Sequence, residues 1–278
     1  MVRRSDVGRL SRLMVSSTAL WLGAFALVVP TAIAQDAVPA SKSAIKVDPQ
    51  HPLAPALEHA YAARQKLAGV TDYEALFSKQ ELIGRRLRAT SMKMKVREQP
   101  FSVYLHYVTA HPGREVIYVA GRNNGLLLAH EAGLKSIAGT VPLAPDSEDA
   151  MDGNKYPVTM IGMKNLLEQI ITQWEAEAQF GESNVQYRPD SKLGGMPCKV
   201  IETSHPQPRK QFKFQMTRLF IDEQTGLPIR VEQYAFPQTE GGKPPMIEEY
   251  TYTKIRVNIG LTDRDFDPAN PNYAFPPQ

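Results

Sequence analysis

Three stretches towards the C-terminus, residues 210–221, 227–236 and 246–259, alternate polar and apolar side chains and are joined only by short, turn-rich links. Alternation of period two marks strands with one face buried and one face wet. Links this short leave no room for crossover helices, so consecutive strands pair antiparallel and the sheet meanders. The first turn is legible residue by residue. Asp222 can bond the turn backbone, and Gly226 accepts a positive φ. Pro228 has no N–H to give a ladder and so belongs at a strand start or an edge.

The same period recurs upstream. Met92, Met94 and Val96 share one face, and Lys93, Lys95 and Arg97 share the other. After Pro100, the residues Phe101, Val103, Leu105 and Tyr107 again fall on one side. Residues 115–120 and 126–130 flank a segment ending in Asn124-Gly125, a hairpin signal. Two segments have helical spacing instead. Leu53, Leu57, Ala60, Tyr61 and Leu67 recur between Pro52 and Gly69. Met160, Met163, Leu166, Leu167, Ile170, Ile171, Trp174 and Ala178 form one apolar stripe, with Thr159 as the expected N-cap and Gly181 as the expected stop. The fold class is α+β, with two helices against an antiparallel sheet.

The N-terminus has the form of an export signal. Arg3, Arg4, Arg9 and Arg12 precede an apolar stretch that reaches Val29, and Ala32-Ile33-Ala34 follows Pro30. The uninterrupted apolar part, 19–29, is short of the roughly 20 residues that a spanning helix needs. We therefore expect a signal peptide over 1–34, cleavage after Ala34, an aperiodic tether over 35–50, and one domain over 51–278 in the periplasm or outside the cell. No cysteine stands near the cleavage position to take a lipid anchor. Cys198 is the single cysteine, so no intrachain disulfide forms, and its alternating context makes it a small buried hydrophobe.

Charge narrows the partners. The leader's four arginines against one aspartate account for the whole formal charge of +3, which leaves the remainder near neutral. A nucleic-acid partner requires a cationic surplus that this remainder lacks. The local basic runs 85–88 and 93–97 read as solvated strand faces. Catalysis finds no foothold either. His106 and His111 fall on opposite faces of a strand, His130-Glu131 lacks a second histidine, and no nucleophile elbow or phosphate loop is present. Asp263 and Asp265 sit in a turn and read as capping residues. No catalytic residue, metal site or cofactor is expected.

Several motifs together carry a family resemblance. These are Phe220-Ile221-Asp222 with Thr225-Gly226-Leu227-Pro228-Ile229-Arg230, then Glu249-Tyr250-Thr251-Tyr252, then Asn258-Ile259-Gly260-Leu261-Thr262-Asp263, and Phe266-Asp267. With Pro100-Phe101-Ser102-Val103-Tyr104-Leu105 and Gly113-Arg114-Glu115-Val116-Ile117-Tyr118, they resemble lipoprotein-carrier-like proteins over 70–275. That superfamily includes the periplasmic Lol carriers and the anti-sigma regulator RseB. Within it the chain is most similar to a family of secreted bacterial proteins of unknown function. The resemblance implies a strongly curved antiparallel sheet, an unclosed barrel, wrapped around helices that act as a lid.

It also implies a non-enzymatic binding role for an apolar concave face, with lipid or lipoprotein acyl chains as cargo. The alternative is an envelope protein-interaction or sensor domain of the RseB kind, using the same sheet without lipid. The expected binding residues are Met92, Met94, Val96 and Val103 on the sheet and Met163, Leu167, Ile171 and Trp174 on the helix. Arg97, set before Pro100, is the nearest match to a carrier arginine that influences cargo release. Alternation nevertheless puts it on the face of Lys93 and Lys95.

Overall fold

Strands that pair are neighbours in sequence except at one seam, where the first strand meets the last. The computed structural model describes residues 47–277; the expected leader, its cleavage position and most of the expected tether lie outside them. A first meander comprises β1 (Asp72–Ile83), β2 (Arg86–Glu98), β3 (Phe101–Tyr107), β4 (Glu115–Val119), β5 (Leu127–His130) and β6 (Thr140–Leu143). A second comprises β7 (Asn184–Leu193), β8 (Met196–Ser204), β9 (Met216–Asp222), β10 (Pro228–Tyr234) and β11 (Met246–Val257). β11 lies antiparallel to β1, giving the order β6-β5-β4-β3-β2-β1-β11-β10-β9-β8-β7. The end strands β6 and β7 do not pair with each other, so the curved sheet stays unclosed. Both of these edges carry a proline, Pro142 and Pro189, which interrupts the row of free donors that would template another strand.

Helices fill the concave side. α1 (Leu53–Ala68) precedes the first meander, and the short α2 (Glu148–Met151) and α3 (Met163–Glu177) link the two meanders. The register stacks apolar residues in rows across the strands. Tyr73 faces Val96, Ala75 faces Met94 and Phe77 faces Met92. Those three pair in turn with Val103, Leu105 and Tyr107. All these residues are buried and belong to one core with the inner stripes of α1 and α3. Ala56, Ala60 and Ala63 on α1 keep its buried stripe shallow, so it packs closely on α3. Each large apolar side chain buried here contributes about 1.5–3 kcal/mol over leaving it exposed.

A second layer covers the convex side. The segment after β11 lays Phe266, Tyr273 and Phe275 over Tyr104, Ile117, Val119 and Leu128. Tyr273 and Tyr104 stack with ring centroids 4.0 Å apart. A capping box between Thr262 and Asp265 shapes a 3-10 turn there, Asp263–Phe266, in keeping with the capping role read from the sequence. The basic run 93–97 differs from its expected solvated state. Lys95 donates to Asp265 at 2.7 Å, and Arg97 donates to Asp263 at 2.8 Å while lying over the Phe266 ring. Only Lys93 of that face remains fully exposed.

Three other expectations change in detail. The stripe helix begins at Met163 and not at Met160, because Gly162 adopts a φ of 109° that ends the preceding 3-10 turn. Its cap is not Thr159: the Met163 N–H donates to the Tyr73 hydroxyl at 3.0 Å. It also ends at Glu177, before Gly181. The strand expected over 210–221 begins only at Met216. Before it, the proline-containing link turns inward to bury Phe212 and Phe214. The Asn-Gly pair lies in a longer β4–β5 connection, with Asn123 and Asn124 both at positive φ, so no two-residue hairpin forms. The Asp222 turn is as read: the Thr225 N–H donates to its carboxylate at 2.9 Å, Gly226 has a φ of 72°, and Pro228 opens β10.

Candidate ligand-binding cavity

Between α3 and the concave face lies an open cavity of about 910 Å³. Its floor is apolar: Phe77, Met92, Leu105, Val116 and Leu127 come from five successive strands, and Tyr250 and Tyr252 come from β11. Leu166 and Ile170 of α3 form the roof, and the link from α2 to α3 closes one side through Tyr156, Val158 and Ile161. The cavity exists because the deep core is filled by the centre of the α3 stripe, while the flank of that stripe stands off the first meander.

One row of the concave face is polar. The register sets Glu81 opposite Glu248, Glu248 opposite Gln233, and Gln233 opposite Thr217. All four are buried, and they cross β1, β11, β10 and β9 in line. The Gln173 side chain on α3 ties into this row: its amide donates to Thr217 at 3.1 Å and to Glu177 at 2.9 Å, and its carbonyl accepts from Gln233 at 2.7 Å. Glu81, 2% exposed, accepts from the Tyr250 hydroxyl at 2.7 Å and from the Lys155 N–H at 3.2 Å, and pairs with the Lys79 ammonium. Lys79 also donates to Asn154 at 2.8 Å. Glu248, 1% exposed, pairs with the Lys155 ammonium and accepts from the Tyr156 hydroxyl at 3.3 Å.

The link residues Asn154, Lys155 and Tyr156 are therefore fastened over the cavity by buried polar groups of the sheet. Burial pulls the Lys79 ammonium below its ordinary pKa, against the pull of Glu81. Burial, with the Glu248 and Glu81 carboxylates, pushes the Tyr250 phenol far up. Tyr250 is accordingly a hydrogen-bond donor and not an acid at any physiological pH. Among the described residues, no group of three or more His, Cys, Asp or Glu side chains is placed to hold a metal.

The expected binding residues divide. Met92 lines the cavity. Met94, Val96, Val103, Met163, Leu167, Ile171 and Trp174 are brought together but packed solid between α1, α3 and the sheet, each at 2% exposure or less. Arg97 is on the opposite face of β2, clamped to the C-terminal segment. Sequence reading missed the flank residues Leu166 and Ile170 as lining groups, along with the whole polar row. The helical period marks the flank as apolar, but it does not say which edge of the stripe stays clear of the sheet.

The model of a family described as "Protein of unknown function (DUF1571)" matches residues 70–275, the span over which the sequence resembles its relatives. No curated protein matches the chain. Solved structures with partial likeness include the lipoprotein LppX of Mycobacterium tuberculosis, 15% identical, with 77% of this chain and 99% of that one covered at a TM-score of 0.45. LprF of Mycobacterium bovis is 10% identical, with 76% and 97% covered at 0.45. The MucA/MucB complex of Pseudomonas aeruginosa is 13% identical, with 77% and 60% covered at 0.42. At such scores the backbones superpose only in part. Among the described residues, no helix is long and apolar enough to cross a membrane.

Proposed function

The chain belongs to the DUF1571 family, whose function is unknown, and from its own geometry we propose that it is an exported, non-enzymatic binding protein for the acyl chain of a lipid or acylated protein. The observation that carries this reading is the open cavity of about 910 Å³, apolar on its floor and roof and polar along one row. Its size lies within the roughly 300–1,000 Å³ typical of small-molecule sites. An amphiphile needs both kinds of wall, and each methylene it buries contributes about 0.8 kcal/mol. The proline-bearing edges speak against the alternative of a sensor that recruits a partner strand. The leader read from the sequence supports export, and protein recovered from the native envelope should begin at or near Gln35.

The test is uptake of a fluorescent acyl probe with an uncharged head, together with lipid analysis of protein purified without detergent. Saturable uptake, or a co-purifying lipid, is expected. Ala129, half-buried on β5, lines the cavity, and Ala129→Trp fills that space without touching the packed stripe. This variant should stay folded and lose uptake. No uptake by the wild-type chain and no extracted lipid would defeat the proposal.

A further inference from the structure

Resting on that reading of the cavity, we infer that the amphiphile it takes has an ammonium head, which docks at Glu248 in the place now held by the chain's own Lys155. The argument starts from the two carboxylates, Glu81 and Glu248, set directly opposite on neighbouring strands and both buried. Like charges in that position repel, so each needs a cation. Glu81 receives one from its own strand, Lys79. Glu248 receives none from the sheet, since its register partners are Glu81 and Gln233. Its cation is borrowed from the α2–α3 link, where the Lys155 side chain is 26% exposed and keeps a path to water.

The surroundings of that borrowed ammonium are those of an alkylammonium site. The Tyr156 and Phe214 ring centroids lie 5.8 and 6.0 Å from it, and the Tyr156 hydroxyl donates to the same carboxylate. A desolvated carboxylate flanked by aromatic faces selects cations, methylated or not. Lys213, exposed, lies over the outer reach of Phe214 at 4.8 Å and leaves Glu248 to Lys155. A further acceptor lines the same cavity: Glu177 Oε2 is buried with no hydrogen-bond partner among the described residues. His205 Nε2 approaches it to 3.3 Å, in ion-pair range but outside hydrogen-bond geometry.

Exchange of one ammonium for another leaves the charge balance of the row intact, and the displaced Lys155 ammonium moves into water. An anionic head cannot take the place of the Lys155 ammonium at Glu248, and it adds a charge that the row does not balance. The chain of the ligand then runs from Glu248 over Tyr250 and Phe77 towards Leu105 and Leu127, which line the apolar part of the cavity.

The experiment is displacement of the uncharged acyl probe from the full chain by dodecylammonium, dodecyl maltoside and dodecanoate below their micelle-forming concentrations. Dodecylammonium should compete at about tenfold lower concentration than dodecanoate, equivalent to ~1.4 kcal/mol. Lys155→Ala removes the incumbent and should widen that gap, while Glu248→Gln should close it. Equal competition by all three heads, or tighter dodecanoate, would overturn the inference while leaving the acyl-chain reading in place. Failure of the probe itself to bind would sink the acyl-chain reading first. Should Glu248→Gln not fold, Lys155→Ala decides alone, and an unchanged gap there counts against the inference.

Discussion

Lys79→Met tests whether the polar row is held by paired charge. The Lys79 side chain is nearly buried and Glu81 is more so, and the two pair along β1. Removing one member of a buried pair costs about 3–5 kcal/mol, because the other charge is left without its counterion. Glu81 would keep the Tyr250 hydroxyl and the Lys155 N–H, so the loss should fall near the lower bound, about 3 kcal/mol. Replacing both residues by methionine removes the stranded charge. It leaves the Tyr250, Lys155 and Asn154 groups short of a partner at about 1 kcal/mol each, and apolar packing offsets part of that. The double variant should therefore be more stable than Lys79→Met alone, by about the apolar packing it regains. Urea unfolding at constant slope measures both values. Amide exchange at Asn154 and Lys155 should quicken in the single variant, since those residues are fastened through this pair. A double variant less stable than Lys79→Met would refute the reasoning.

Burial alone would lower His205, but the Glu177 carboxylate and the Glu182 carbonyl outweigh it and hold its pKa above the ordinary 6.5. The folded state then keeps a proton that the unfolded state releases. Its stabilisation is full below 6.5 and is lost as pH rises through the folded value. Urea midpoints should fall as pH rises from the ordinary 6.5 through the raised folded value, and His205→Gln should flatten that dependence. Arg97→Ala should loosen the C-terminal segment at a cost of about 1 kcal/mol and leave acyl-probe affinity unchanged; a changed affinity would restore the release role that the family resemblance implies. Cys198 is fully buried, and burial, with Glu223 and Asp222 nearby, raises its thiol pKa. A thiol reagent should label it only as fast as the protein unfolds, and rapid labelling of the native state would contradict that burial.

The hairpin of β9 and β10 was legible because its turn chemistry and its alternation agree residue by residue. β1 was not, although it is the strand on which both meanders meet. Its inner face runs Tyr73, Ala75, Phe77, Lys79 and Glu81, so two charges stand where alternation calls for apolar groups. The centre of the helical stripe packs into the core, and its flank, Leu166 and Ile170, lines the cavity. Period alone does not separate the part of a stripe that meets the sheet from the flank that faces a gap. The polar row was out of reach for a different reason. Glu81, Glu248, Gln233 and Thr217 become neighbours only through the register of four strands, and Glu248 joins Glu81 only across the seam.

That seam sets the timetable of folding. Tyr250 and Glu81, bonded across β11 and β1, are 169 residues apart in the chain. Each meander can zip up from its own local turns, but the central pairing must wait for the last strand, and closing so large a loop is slow. A chain made N-terminus first presents β1 long before β11 arrives. The edge of β1 that pairs with β11 keeps its backbone donors and acceptors unpaired throughout that interval. Refolding in isolation should accordingly show a late phase in which β1 and β11 gain exchange protection together, and the yield should fall steeply with protein concentration. Aggregation before seam closure, and not instability of the finished sheet, would then limit recovery of the protein.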